Sequence, residues 1–195
     1  MTAEASAYAN YIADYIYFAP AIDAMGKPVF DVTIRGAFPR FVTRPVDAVF
    51  YGVDGGVAVT PTDWLELGAQ VSAVRAKNRS DDSYLVFVPA DRARASATLK
   101  RWNSFLSATG TFVRQQDRYD LVADFAEPPD RYFLLGAELG TEVRFEHQTL
   151  KLALQGTNLT NARYRDYTSL LRYFADQPGW QLLLRATITF SSEKP

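Results

Sequence analysis

The sequence predicts an all-β fold, an antiparallel transmembrane β-barrel segment of about eight strands, on three observations. Segments of about ten residues alternate apolar and polar side chains, the period-2 pattern of strands with one apolar face. The connections between them run alternately long and short, as in a barrel with tight turns at one rim and long loops at the other. Aromatic residues make up 14% and hydrophobic residues 48% of the 195 residues. No run approaches the roughly 18 apolar residues of a transmembrane helix, so any membrane crossing falls to strands. Two other readings share the alternation: a self-contained eight-stranded barrel with a structural or adhesive role, and a soluble ligand-binding β-sandwich. A sandwich gives no reason for long and short loops to segregate.

In the first strand, residues 5–18, Ala9, Tyr11, Ala13, Tyr15 and Tyr17 share one face, and Tyr8, Asn10, Ile12, Asp14 and Ile16 the other. The Asn and Asp assign the second face to the interior and the tyrosine row to lipid and its interface. A loop through Pro20, Gly26 and Pro28 follows, with residues 29–34 a short extended piece. Pro39 and Pro45 are expected to interrupt any ladder there. Residues 46–59 set Val49, Tyr51, Val53, Val57 and Val59 against Phe50, Gly52, Asp54 and Ala58. After a tight Pro61-Thr-Asp63 turn, residues 64–76 place Leu65, Leu67, Ala69, Val71 and Ala73 outward.

A long connection over residues 77–89 precedes the fourth strand, residues 92–102, where Ala93, Ala95, Ala97 and Leu99 oppose Arg92, Arg94, Ser96, Thr98 and Lys100. Residues 105–114 are a fifth strand whose outward face the pattern leaves open. After the polar loop 115–130, residues 132–145 alternate Phe133, Leu135, Ala137, Leu139, Val143 and Phe145 with Gly136, Glu138, Gly140, Glu142 and Arg144. Residues 146–148 form a turn into the C-terminal hairpin. There Leu150, Leu152 and Leu154 precede a last strand with Leu182, Leu184, Ala186, Ile188 and Phe190 on one face.

A formal net charge of −1 gives no polybasic footprint, and no nucleic-acid partner is expected. With one histidine, His147, and no cysteine, the chain carries no zinc cluster, thiol nucleophile or catalytic constellation. It is read as neither an enzyme nor a cofactor protein. Glu138 and Glu142, two same-face positions apart, resemble an acid-base pair. The inward set of Asp54, Glu66, Arg92, Arg94, Lys100, Glu138, Glu142, Arg144, Lys151 and Arg185 favours instead a charge-compensated wall, because buried charges need partners. The long loops hold Tyr84, Phe87, Arg118, Tyr119, Arg165, Tyr167, Arg172 and Tyr173, types suited to an anionic, aromatic metal chelate. The same types also form the interfacial girdle of a barrel, and both readings stand.

The segment Asn158-Leu-Thr-Asn-Ala-Arg-Tyr164, the Pro178-Gly-Trp loop end and the amphipathic strand ending at Phe190 together resemble the C-terminal end of a TonB-dependent outer-membrane receptor. Residues 10–17 and Gly52-Val-Asp54 are similar to earlier strands of that family, with Asp where it has Glu. The resemblance implies that residues 1–190 are the last eight strands of a barrel of about 22. It also implies an outer-membrane location, with lipid and the barrel assembly machinery as partners, the latter reading Phe190. Residues 191–195 are then a polar extension past that signal. TonB would act only through an N-terminal plug, which with the remaining strands lies outside this chain. The nutrient is expected to be an iron–siderophore or similar metal chelate, since the loops lack histidine for a free metal ion. Residues 1–8 have no secretory pattern, so either the chain is a fragment whose upstream part carries the signal or the membrane reading does not hold.

Overall fold

The computed structural model describes residues 1–119 and 124–190. Eight strands form one antiparallel sheet, with each sheet strand hydrogen-bonded to the next along the chain: β1 (Thr2–Pro20), β4 (Phe41–Thr62), β5 (Leu65–Asn78), β6 (Arg92–Arg101), β7 (Ser104–Val113), β8 (Tyr132–Arg144), β9 (Gln148–Thr157) and β10 (Gln181–Phe190). A separate hairpin, β2 (Phe30–Thr33) and β3 (Gly36–Pro39), stands in the first long connection. The sheet does not close. β1 pairs only with β4 and β10 only with β9, so both outer edges keep a row of unpaired backbone groups.

The register sorts the sheet into two faces. Across the middle, Val53, Val71, Ala93 and Phe112 share one face, and Asp54, Ser72, Arg92 and Val113 the other. The first face continues through Phe133, Leu135, Leu139, Leu152, Leu154, Leu184 and Ile188, and below the loop end it is mainly apolar, with most of its large side chains exposed. The second face is mainly polar. Phe105 pairs with Gly140 on the polar face, which settles the strand whose orientation the sequence leaves open. Among the described residues no second sheet of comparable size covers either face, so the sandwich has no second layer. The buried residues cluster at the loop end instead, where Leu85 and Val88 pack on Ala48 and Ala76.

Two features of the first strand pair differ from the sequence reading. The β1–β4 ladder shifts between Ile12 and Tyr15, and Asp14 in the bulge takes φ +52°. One extra residue reverses every later side chain. Tyr15 therefore stands with Phe50, their ring centroids 5.0 Å apart, beside Tyr17 and Val46 on the polar side. Tyr11 stays on the apolar face, so the continuous tyrosine row expected from residues 9–17 is cut in two. The second difference is length. β4 begins at Phe41 and runs through Pro45, pairing back to Pro20, where an interrupted ladder was expected. β5 joins β4 only from Ala48 onward, so Pro45 lies where β4 has a neighbour on one side alone, the setting a strand proline tolerates.

The C-terminal signature residues have direct structural jobs. Asn158 and Asn161 both take left-handed backbone conformations, at φ +48° and +50°. The Asn158 side chain accepts from the Ala162 N–H at 2.9 Å and donates to the Ala162 and Pro178 carbonyls at 3.0 and 3.2 Å, joining both ends of the last long loop. Asn161 Oδ1 accepts from Trp180 N–H, and a Cβ on Gly179 would sit 2.5 Å from that oxygen. Only glycine leaves room for the contact. The expected extension at residues 191–195 lies outside the described residues.

Candidate functional site

Four connections that are far apart in sequence meet at the loop end of the sheet. The β1–β4 connection brings Phe30 and Phe38, the start of β4 brings Phe41, the β5–β6 loop Phe87, the β7–β8 loop Asp124 and Phe125, and the β9–β10 loop Tyr167, Arg172, Tyr173 and Phe174. β1 and β10 are opposite edges of the sheet, yet Phe38 and Phe174 lie 5.6 Å apart between ring centroids and Phe41 and Tyr173 5.8 Å. These loops thus form one aromatic cap.

Its centre is an ion pair. The Arg172 guanidinium donates to Asp124, and both side chains are essentially buried. Tyr173 and Tyr167 donate their hydroxyls to the same carboxylate, at 2.6 and 3.2 Å. The rings of Tyr173, Tyr167 and Phe87 stand 4.3, 4.6 and 5.6 Å from the guanidinium carbon, within cation–π range. Burial, then the Asp124 charge, push both tyrosine hydroxyls far above their ordinary pKa, so they remain donors at any physiological pH. Phe87 adopts φ +61°, a costly conformation for a bulky residue, held here between Phe41, Tyr173 and Arg172.

Of the loop residues singled out from sequence, Phe87, Tyr167, Arg172 and Tyr173 come together here; the two hydroxyls and Arg172 Nη2 bond to Asp124, while Arg172 Nε is buried with no partner among the described residues. Arg165 braces the same loop, donating to Asp176 at 2.7 Å and to the Arg172 carbonyl at 2.8 Å. Tyr84 lies apart, under the Lys77 ammonium. Arg118 and Tyr119 belong to another group at the apolar rim. Asp124 is the residue sequence reasoning missed. It sits in a polar loop where nothing distinguishes it from its acidic neighbours, and only its burial marks it.

On the polar face, Lys100 pairs with Glu66 at 2.7 Å, and Glu142 with Arg144 at 2.7 Å and Lys151 at 3.3 Å. For Asp54, Arg92, Arg94, Glu138 and Arg185 the described residues provide no ion pair. Arg92, Arg94 and Asp54 instead line a hollow of about 660 Å³ with Glu4, Gln70 and Thr111. Phe190 ends β10 paired with Gln148 and 71% exposed. No group of three or more His, Cys, Asp or Glu side chains suited to a metal ion occurs among the described residues.

No family model and no curated protein matches the chain. Among solved structures the fold is similar to that of the copper transporter OprC, with a TM-score of 0.69 and 19% identity over 95% of this chain. The match covers 28% of that transporter's chain, so this chain spans less than a third of it. At this identity the likeness is one of fold.

Proposed function

We propose that this chain is the C-terminal wall of a larger TonB-dependent outer-membrane receptor barrel that imports a scarce nutrient, an iron–siderophore or similar chelate. The observation that carries the reading is the sheet itself: open at both edges, apolar and exposed across one face, polar on the other. Such a sheet has no stable place in water, where so large an apolar surface would associate, but fits a barrel wall between lipid and an aqueous lumen. Likeness to part of a transporter about three and a half times longer supports a barrel of about 22 strands, to which these eight contribute. The plug, and TonB acting on it, belong to the rest of such a receptor.

Copper, the cargo in the name of the matched transporter, is the second reading. Soft-metal capture draws on His, Cys and Met, and this chain has one, none and two of these. The test uses the full-length gene product. A band that migrates compactly in detergent until boiled establishes the barrel, and uptake of a ferric siderophore that stops when TonB is deleted establishes the transport. A protein that remains in the aqueous phase without detergent overturns the wall. Copper uptake without siderophore uptake replaces the cargo.

A further inference from the structure

Just above the apolar face, at the loop end of β5 to β8, stands a group of arginines that the aromatic cap does not use. Arg75 and Arg114 lie on that face by register, and Asp91 precedes β6 on the same side. Arg75 grips Asp91 with two hydrogen bonds, at 2.5 and 2.9 Å. Arg118 and Arg114 approach the same carboxylate only at 3.6 and 3.9 Å, too far for hydrogen bonds, and both pair with Asp117 at 2.9 Å. Among the described residues, three guanidinium groups thus share the two carboxylates of Asp91 and Asp117. Arg131, exposed and next to the Val113–Tyr132 end of the β7–β8 ladder, adds another cation, and Asp130 beside it another carboxylate. Arg114 is 56% exposed and makes one side-chain hydrogen bond among the described residues, to Asp117.

Arg114 also stands between two cavities of opposite character. Below it is a slot of about 290 Å³ with Val53, Val71, Ala73, Ala93 and Phe112 in its walls. Above it is a hollow of about 740 Å³ lined by Gln115, Asp117, Tyr119, Asp130 and Arg131. An apolar slot under a positively charged ledge, with polar space above, matches an amphiphile with a phosphate at its waist.

We propose that this rim binds a phosphate-bearing lipid, its acyl chain in the slot along Ala73 and Ala93 and its phosphate on Arg114 and Arg118. Guanidinium groups suit this task because their paired N–H groups match phosphate oxygens. The site rests on the reading that the apolar face meets lipid. It would hold one lipid in place and fix the height of this wall in the bilayer.

The full-length protein, stripped of lipid in mild detergent, is offered phosphatidylglycerol or phosphatidylcholine with identical acyl chains, and retained lipid is counted by native mass spectrometry. Phosphatidylglycerol should be retained about tenfold more tightly. That preference should vanish in the Arg114→Gln/Arg118→Gln variant, survive in Arg114→Lys, and be unaffected by Arg101→Gln at the opposite rim. Each variant must keep its heat-modifiable band, which confirms that it folds. Equal retention of both lipids, or an unchanged preference in the double glutamine variant, overturns the site while leaving the barrel wall intact. Binding of inorganic phosphate with no lipid retained identifies a soluble-anion site and also overturns it. Retention of neither lipid, with no heat-modifiable band, overturns both the site and the wall.

Discussion

Two arginine clusters at the same end of this sheet use the same residue types in opposite ways. In the loop cap, Arg172 is 3% exposed, and one aspartate with three aromatic rings enclose its guanidinium. At the apolar rim, Arg114 is half in solvent, and three arginines share two aspartates. An arginine among tyrosines in a long loop looks from sequence like a ligand contact in either place. Burial separates them: the first has its charge matched and its donors directed inward, while the second keeps charge and donors for something else.

The largest loss is expected in the cap. Replacing Asp124 by Ala leaves Arg172 buried without its counter-charge and should destabilise the joined loops by about 3–5 kcal/mol. Hydrogen exchange would show lost protection around Arg172, Tyr167 and Leu85, with β6 to β9 unchanged. A double replacement, Asp124→Leu with Arg172→Met, should recover much of that loss, because the cost lies in the stranded charge. Protection unaltered by Asp124→Ala would mean that the aromatic contacts alone join the loops.

Next comes Phe41→Ala, which removes a ring touching Phe87, Phe125 and Tyr173. A half-buried position in an aromatic cluster predicts about 2–3 kcal/mol, measured as faster protease cleavage of the β2–β3 connection. Arg114→Gln sharpens the contrast from the other side. At an exposed ion pair it should change stability by less than about 0.5 kcal/mol in a thermal melt while weakening the lipid preference that the double variant with Arg118→Gln abolishes.

The smallest effect concerns pH. Burial pushes the Asp166 carboxyl up, but the Thr168 hydroxyl and N–H, the Tyr132 hydroxyl and the nearby Arg92 charge outweigh it, leaving the folded pKa below the ordinary value. Asp166 therefore contributes stability that is fully present above the unfolded pKa of about 4, and that is lost as pH falls through the lower folded value. Protease resistance of the last long loop should decline below about pH 4 and should be less acid-sensitive in Asp166→Asn. Equal acid sensitivity in both proteins would remove Asp166 from the account.

Much of the wall was legible before any coordinates. In β5, β6, β8, β9 and β10 the faces read from alternation are the faces the register displays, because nothing within those strands breaks the period of two. Reading failed at single residues with long reach. The bulge at Asp14 turns Tyr15 and Tyr17 to the other face, and it has no composition signal, since Asp is ordinary in a strand that also carries Asn10. Pro45 was read as a break because the sequence does not say that β4 has only one neighbour there. Four of the loop candidates, Phe87, Tyr167, Arg172 and Tyr173, pack on one another around Asp124.

Alternation in the sequence assigns the two faces of β5, β6, β8, β9 and β10, because successive side chains leave a regular strand on opposite sides whatever the strand packs against. The tertiary structure alone decided which charges are matched and which are open. Arg172 meets Asp124 across 48 residues, and loops from opposite edges of the sheet meet only because the whole eight-stranded array sets their separation. A local pattern carries no information at that range, so the difference between a locked arginine and an available one appears only in three dimensions.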